Sequence, residues 1–244
     1  MAELAAEKVL AACDSAQDAR GQHRALALLD PFAGELGVVG PISELPLGRR
    51  DALLLNLYRE IRGAQLDALA ECPQCESTLE IRLPIAGMVS GYKEDPGRGP
   101  HAVDIDLGTA VVRASCPNTA DLIAAGAAPS VAAAQAALLE RCIESIRRPD
   151  GSEAPLTAEE VARLGGELEV RDPLVDVRVE IGCAECGQAW AAFLDVTAMV
   201  WALVHGSARR VLREVDALAS RYGWSERDIL AMTARRRLAY LDLP

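Results

Sequence analysis

The chain has 244 residues, a formal net charge of −11, half of its residues apolar and a mean hydropathy of +0.11. A chain of this length can bury one or two sizeable cores, yet it has no apolar run of the roughly 18–20 residues that a membrane span needs. The start, Met1-Ala-Glu-Leu-Ala-Ala-Glu, lacks the basic-then-apolar order of a secretory signal, and a negative field repels phosphate, so nucleic acid is not the default partner.

The first 35 residues read as helical, with apolar faces from Val9, Leu10, Leu26, Leu28 and Leu29 interrupted at Gly21 and Pro31. A Gly/Pro-marked loop spans 34–46. Pro46 then opens a helix that carries Leu53, Leu54, Leu57, Tyr58 and Ile61 on one face and stops at Gly63. Thr78-Leu-Glu-Ile-Arg-Leu alternates as a strand does, residues 90–100 form the most loop-like stretch, and Ala102-Val-Asp-Ile-Asp-Leu alternates again. Asn118 or Thr119 caps a helix with Asp121 in its first turn. Ala132 to Arg147 reads as one helix, with Leu138, Leu139, Cys142, Ile143 and Ile146 together. Thr157 and Glu160 form a capping box for a short helix. Val175 to Ile181 is a strand whose partner returns over Trp190 to Val196. Ala198 to Tyr222 is a long helix stopped by Gly223, and Ser225 and Thr233 cap two more.

Seven cysteines stand at 13, 72, 75, 116, 142, 183 and 186. An odd count in a chain of this size argues against a secreted disulfide framework and for a reducing, cytoplasmic setting. Four of them form two Cys-x-x-Cys pairs, Glu71-Cys-Pro-Gln-Cys-Glu-Ser and Gly182-Cys-Ala-Glu-Cys-Gly-Gln, each beside a strand. A two-residue spacer lets both thiolates of a tight turn reach one ion, and two such turns supply a closed tetrahedral site. Soft thiolates select zinc over magnesium or calcium. Cys72, Cys75, Cys183 and Cys186 are therefore the expected ligands of a structural Zn2+. The 107 residues between the pairs exceed the spacing of a compact ribbon. Closure cost grows only with the logarithm of loop length, so a helical insertion is tolerable. A thioredoxin-like dithiol is the competing reading. It wants one pair at a helix start inside a βαβ unit, whereas these pairs flank strands. Cys13, Cys116 and Cys142 read as small buried residues, and His23, His101 and His205 show no ligand spacing.

No phosphate loop, His-Glu-x-x-His or Gly-x-Ser-x-Gly occurs, so no catalytic residue is assigned. Residues 203–244 carry a net +3 against −14 for the rest. Arg235-Arg236-Arg237 reads as the solvated end of a helix that complements its C-terminal dipole, with a nucleic-acid patch or a dock for an acidic protein as rivals.

Several blocks together resemble the T4-type baseplate hub assembly chaperone family of contractile phage tails, tailocins and contractile injection systems. They are Arg24-Ala-Leu-Ala-Leu-Leu, Leu45-Pro-Leu-Gly-Arg-Arg-Asp-Ala-Leu-Leu-Leu, the Cys72 pair with Leu79-Glu-Ile, Thr119-Ala-Asp-Leu, Leu138-Leu-Glu-Arg-Cys, Cys183-Ala-Glu-Cys-Gly-Gln-Ala-Trp, Leu212-Arg-Glu-Val-Asp-Ala-Leu-Ala, Tyr222-Gly-Trp-Ser-Glu-Arg-Asp-Ile-Leu and Arg236-Arg-Leu-Ala-Tyr-Leu. The resemblance covers about residues 24–243 and implies a non-enzymatic role in building the baseplate hub, with hub or spike proteins as partners.

The expected fold is α+β, mostly helical, with a split four-cysteine zinc ribbon formed by two β-hairpins and a helical insertion. Its parts are an N-terminal helical region (1–70), the ribbon (71–88 with 175–197), the insertion (89–174) and a C-terminal helical region (198–244). Trp224, Ile229, Leu230 and Tyr240 are candidate partner anchors, because aromatic residues dominate interface energies. The rival reading has them packing the helical hairpin instead. The functional rivals are a structural subunit that stays in the baseplate and a zinc-ribbon nucleic-acid regulator, which the acidic body disfavours.

Overall fold

In a computed structural model, which describes residues 5–92, 102–152 and 154–243, the protein is about 53% helix and 17% strand, an α+β fold. Three N-terminal helices, α1 (Ala6–Gln17), α2 (Gln22–Leu29) and α3 (Leu47–Arg62), end where the sequence breaks them: Gly21 has φ 51° and Gly63 has φ 112°, a region open to glycine at little cost. Their apolar stripes meet the first half of a 27-residue helix, labelled α8 below (Val196–Tyr222). The shared core holds Val9, Leu28, Leu29, Phe32, Leu54, Val200 and Val204, and Ala12, Ala16, Ala25 and Ala208 let the helices approach closely. The segments read as separate N- and C-terminal helical regions thus share one core.

Two hairpins stand on this core. The first pairs β1 (Gln65–Glu71) with β2 (Thr78–Pro84), followed by a single turn, α4 (Ile85–Met88). Its register sets Leu66 opposite Leu83, Ala68 opposite Ile81 and Ala70 opposite Leu79. The hairpin therefore begins at Gln65, inside the stretch read as helical. Leu, Ala and Glu are helix formers, but after the stop at Gly63 their alternation of Leu66, Ala68 and Ala70 with Asp67 and Glu71 fits a strand. Ser90–Tyr92 makes one 3₁₀ turn, and the remainder of the loop expected at 90–100, with His101, lies outside the described residues.

The insertion has its own small core of Ile105, Leu107, Val112, Ala114, Leu164 and Leu168. It contains β3 (Val103–Asp106), β4 (Val111–Ala114), α5 (Thr119–Ala125), α6 (Val131–Cys142), β5 (Ile143–Arg147) and α7 (Ala158–Arg171). Asn118 and Asp121 form a capping box on α5, and Thr157 and Glu160 form one on α7. The helix expected over 132–147 stops at Cys142. Ile143 and Ile146 instead pair with Ala114 and Val112, as the third strand of the β3-β4-β5 sheet. Branched side chains and a free strand edge on β4 outweigh the helical spacing here. α7 runs 14 residues, longer than the short helix expected.

The second hairpin is β6 (Arg178–Gly182) with β7 (Ala189–Phe193), three residues shorter at its base and one residue longer at its tip than the sequence pattern. α8 follows, capped by Asp195 and closed by Gly223 in the left-handed conformation. α9 (Glu226–Leu230) and α10 (Ala234–Leu241) fold back on it. The Arg235–Arg237 cluster lies at the start of α10, not at a helix C-terminus, and Arg237 is buried, with its guanidinium donating to Glu214 (2.9 Å) and to the Met232 carbonyl (2.7 Å). The solvated-end reading of that cluster is corrected accordingly.

The return from the insertion is fastened to the first core by Asp172. The Gly48 N–H in the first turn of α3 donates to its carboxylate (2.7 Å), the Tyr92 hydroxyl donates to the other oxygen (2.8 Å), and the Leu174 N–H donates to Tyr92 (3.0 Å). α3 is thus capped by a side chain 124 residues away. A Cβ on Gly48 would collide with the Asp172 carboxylate and the Tyr92 hydroxyl. Gly48→Ala is expected to lose about 2 kcal/mol of stability by overpacking. In urea unfolding, its effect and that of Asp172→Ala fall short of additivity in the double variant, because both break one contact.

A second tie, inside the insertion, is the pair Arg148–Glu160 (2.9 Å), with Glu160 buried and Arg148 half-buried. Arg148 foremost, then Thr109 and the Thr157 N–H, hold the Glu160 carboxyl far below the usual carboxylate range. A depressed acid contributes stability that is full above its unfolded value, about 4.3, and is lost as pH falls. Stability measured by urea unfolding therefore declines from about pH 5 downward, and Glu160→Gln flattens that decline.

Candidate metal centre

Each Cys-x-x-Cys pair occupies the tip of a hairpin, and the two tips have the same backbone design. In the first, the Glu76 N–H donates to the Cys72 carbonyl (2.9 Å) and the Cys72 N–H to the Ser77 carbonyl (3.0 Å). In the second, the Gly187 N–H donates to the Cys183 carbonyl (3.0 Å) and the Cys183 N–H to the Gln188 carbonyl (2.8 Å). The residue after each second cysteine has positive φ, 75° at Gly187 and 59° at Glu76. Glycine enters that region freely. Glu76 is the single described non-glycine residue that does so, and such backbone costs about 1–2 kcal/mol. The strain persists because the knuckle geometry requires it.

The two tips meet. Cys72 Sγ lies 3.6 Å from Cys186 Sγ, Cys75 Sγ lies 3.6 Å from Cys183 Sγ, and all four sulfurs fall within 4.8 Å of one another. An ion bound tetrahedrally by sulfur at about 2.3 Å sets its ligands about 3.8 Å apart, so the observed spacing fits one ion enclosed by four thiolates. Cys72 and Cys183 are buried, while Cys75 and Cys186 are exposed. Four converging sulfurs from two pairs separated by 107 residues can hold a metal ion, and among the described residues no other group of His, Cys, Asp and Glu has such geometry. A closed four-sulfur set leaves no coordination position for a substrate.

Sequence reasoning missed Ser77. Its hydroxyl lies 3.0 Å from Cys75 Sγ and 3.3 Å from Cys183 Sγ, bridging the two knuckles. Hydrogen bonding from Ser77 lowers the Cys75 thiol and, foremost among its influences, holds the Cys183 thiol down to about 6. At Cys186 the Gln188 N–H lowers the thiol, but burial and the sulfurs of Cys72, Cys75 and Cys183 outweigh it and push it up to about 12. Four crowded sulfurs resist ionising together unless a cation sits among them. A residue two places after a Cys-x-x-Cys pair is visible in the sequence. That it reaches the opposite knuckle is not.

The other cysteines are structural. Cys13 and Cys142 are buried and Cys116 is half-buried. Burial, aided by Asp172 at Cys116 and by Asp121 at Cys142, pushes both thiols up to about 11, which leaves them protonated and unreactive at neutral pH.

Of the candidate anchors of the C-terminal helices, Trp224 and Tyr240 form an aromatic cluster with Tyr222. Trp224 stacks on Tyr222 (4.5 Å between ring centres), and Tyr240 meets Trp224 edge-on (4.8 Å). The Tyr222 hydroxyl donates to the Tyr240 carbonyl (3.1 Å). Ile229 is fully buried, so its assignment as a partner anchor is corrected: the turn at Gly223 folds it against α8. Leu230 is half-buried, in a groove that also includes Leu10 and Leu212. No described helix is long and apolar enough to cross a membrane.

No protein family, curated protein or solved structure matches the chain.

Outer-shell donors typically tune metal affinity 10–100-fold. Ser77→Ala is therefore expected to weaken metal binding about tenfold in competition with a chromophoric chelator, with little change in helix content by circular dichroism.

Proposed function

We propose that this protein is a non-enzymatic, zinc-stabilised assembly chaperone for the baseplate hub of a contractile phage tail-like particle or injection system, acting in the cytoplasm where such particles are built. The observation that carries this reading is the order of the sequence blocks that resemble that family. Two of these blocks are neighbours in the fold. The block at Leu45–Leu55 and the block at Thr119–Leu122 touch at the start of α3: the Leu47 N–H donates to the Pro117 carbonyl (3.1 Å) and the Arg50 guanidinium to the Thr119 hydroxyl (3.2 Å). Arg24, which opens another block, lies 5.0 Å over the ring of Trp201. Residues that carry the likeness thus join the helical bundle to the insertion.

Zinc is the ion that fits the donor set: four soft thiolates and a tetrahedral spacing. In its place Cys72, Cys75, Cys183 and Cys186 would hold it, and the ion would supply folding energy only, on the scale of about 10–16 kcal/mol measured for zinc fingers. The protein's own part in assembly is then to present a fixed surface to a hub or spike component.

Native mass spectrometry is expected to find one zinc per chain, and Cys72→Ser to yield unfolded or aggregated protein. A well-folded, metal-free wild type contradicts the zinc assignment. Deleting the gene from a cluster encoding sheath, tube and spike is expected to abolish assembled particles, with recovery when the protein is supplied in trans. The chaperone leaves, so purified particles lack it. Its retention there supports the structural-subunit reading instead, and undiminished particle yield without it contradicts both.

A further inference from the structure

The insertion carries a surface that its own fold leaves open. Nine of the twelve residues of α6, Val131-Ala-Ala-Ala-Gln-Ala-Ala-Leu-Leu-Glu-Arg-Cys, are apolar, yet Cys142 is the single buried residue among them, and Val131 is 76% exposed. An amphipathic helix normally gains its stability by burying such a face. Here the stripe of Gln135, Leu138, Leu139 and Cys142 instead walls one side of a groove of about 660 Å³, with Val161, Gly165 and Leu168 of α7 on the other side. Contiguous apolar surface of this kind marks an interaction site.

Three features define its occupant. The groove lies between two helices, a shape suited to a helix laid along an apolar floor. Its described charged lining is Glu169, Asp172 and Asp176, all acidic, with no cation among them. The Asp172 oxygens are already engaged by Gly48 and Tyr92, and Asp176 also pairs with Arg178 (2.9 Å), which leaves Glu169 as the exposed rim charge. The exposed Glu169 carboxylate, on a chain of net charge −11, favours a basic flank over a phosphate-bearing partner. Gly165 stands mid-helix, where glycine is a poor helix former. A Cβ there would meet nothing within 4 Å, so no contact inside the chain requires glycine, and its lack of a side chain leaves that wall of the groove open.

We propose that the α6–α7 groove is a docking site for an amphipathic helix of a partner protein, bearing an apolar stripe flanked by lysine or arginine. The site rests on the groove itself and not on the identity of the assembly system. A peptide titration on the isolated protein reads the groove, whereas the deletion experiment reads the hub, so either can fail alone.

The probes are two fluorescein-labelled synthetic helices of about 18 residues with the same leucine and alanine stripe, one flanked by lysines and the other by glutamates. Titrated against the full zinc-loaded chain, the lysine helix is expected to bind at least about tenfold more tightly than the glutamate helix. Gly165→Leu fills the groove and removes a helix-interior glycine, so it is expected to weaken the lysine helix about tenfold or more while preserving or raising the melting temperature. Glu169→Lys weakens it severalfold in low salt, an effect that shrinks in about 0.5 M sodium chloride. Failure of the lysine helix to bind, or binding that Gly165→Leu leaves unchanged, overturns the proposal, the latter as general attraction to an acidic chain. A wild-type dimer in sedimentation that Gly165→Leu dissolves also overturns it, because the groove is then filled by a second copy.

Discussion

The convergence of four sulfurs is the constraint on which the two-hairpin arm depends. A two-stranded hairpin is marginally stable alone in water, and here two of them stand side by side with few buried residues above their bases. Those bases are secured by the main core: Leu66, Leu83 and Ile85 below the first hairpin, Val177, Leu194 and Val196 around the second. The tips meet where Cys72, Cys75 and the Ser77 hydroxyl face Cys183 and Cys186. A metal ion at that point closes the arm at its far end. Because the core has already brought the bases together, the ion need not carry the whole closure entropy of the intervening 107 residues.

The insertion is held in a different way. Its own core is small, and its connection to the bundle is polar and specific: Asp172 caps α3 through Gly48, and Arg50 reaches Thr119. Burial raises the Asp172 carboxyl even though Gly48, Tyr92 and Arg50 favour its charged form, a mark of how deeply this junction is enclosed. A tie made of directed hydrogen bonds fixes orientation more than it adds free energy. It sets the open α6–α7 groove at a defined place relative to the helical bundle.

Much of this was legible in the sequence. The Cys-x-x-Cys spacing identified both knuckles, and the caps at Asn118, Thr157, Ser225 and Thr233 were readable because each is a local rule satisfied within four residues. What escaped was non-local. β1 is written in helix-forming residues and becomes a strand because β2 pairs with it. Ile143 and Ile146 continue a helical stripe on paper but complete a sheet with β4. Arg237 sits in a run of arginines that resembles a solvated surface, and its burial depends on Glu214 lying one turn of the chain's path away in space, 23 residues back in sequence. Ile229 looked available to a partner until the turn at Gly223 folded it inward. Ser77 had no signal at all, since its role exists only once the opposite knuckle is in place.

Absorption spectroscopy at the metal edge of the purified protein tests the central claim most directly. The account predicts a zinc edge with four sulfur neighbours at about 2.3 Å and no nitrogen or oxygen in the inner shell. A mixed shell of sulfur with nitrogen or oxygen, or a folded protein whose four cysteines are joined as disulfides with no metal bound, would contradict it.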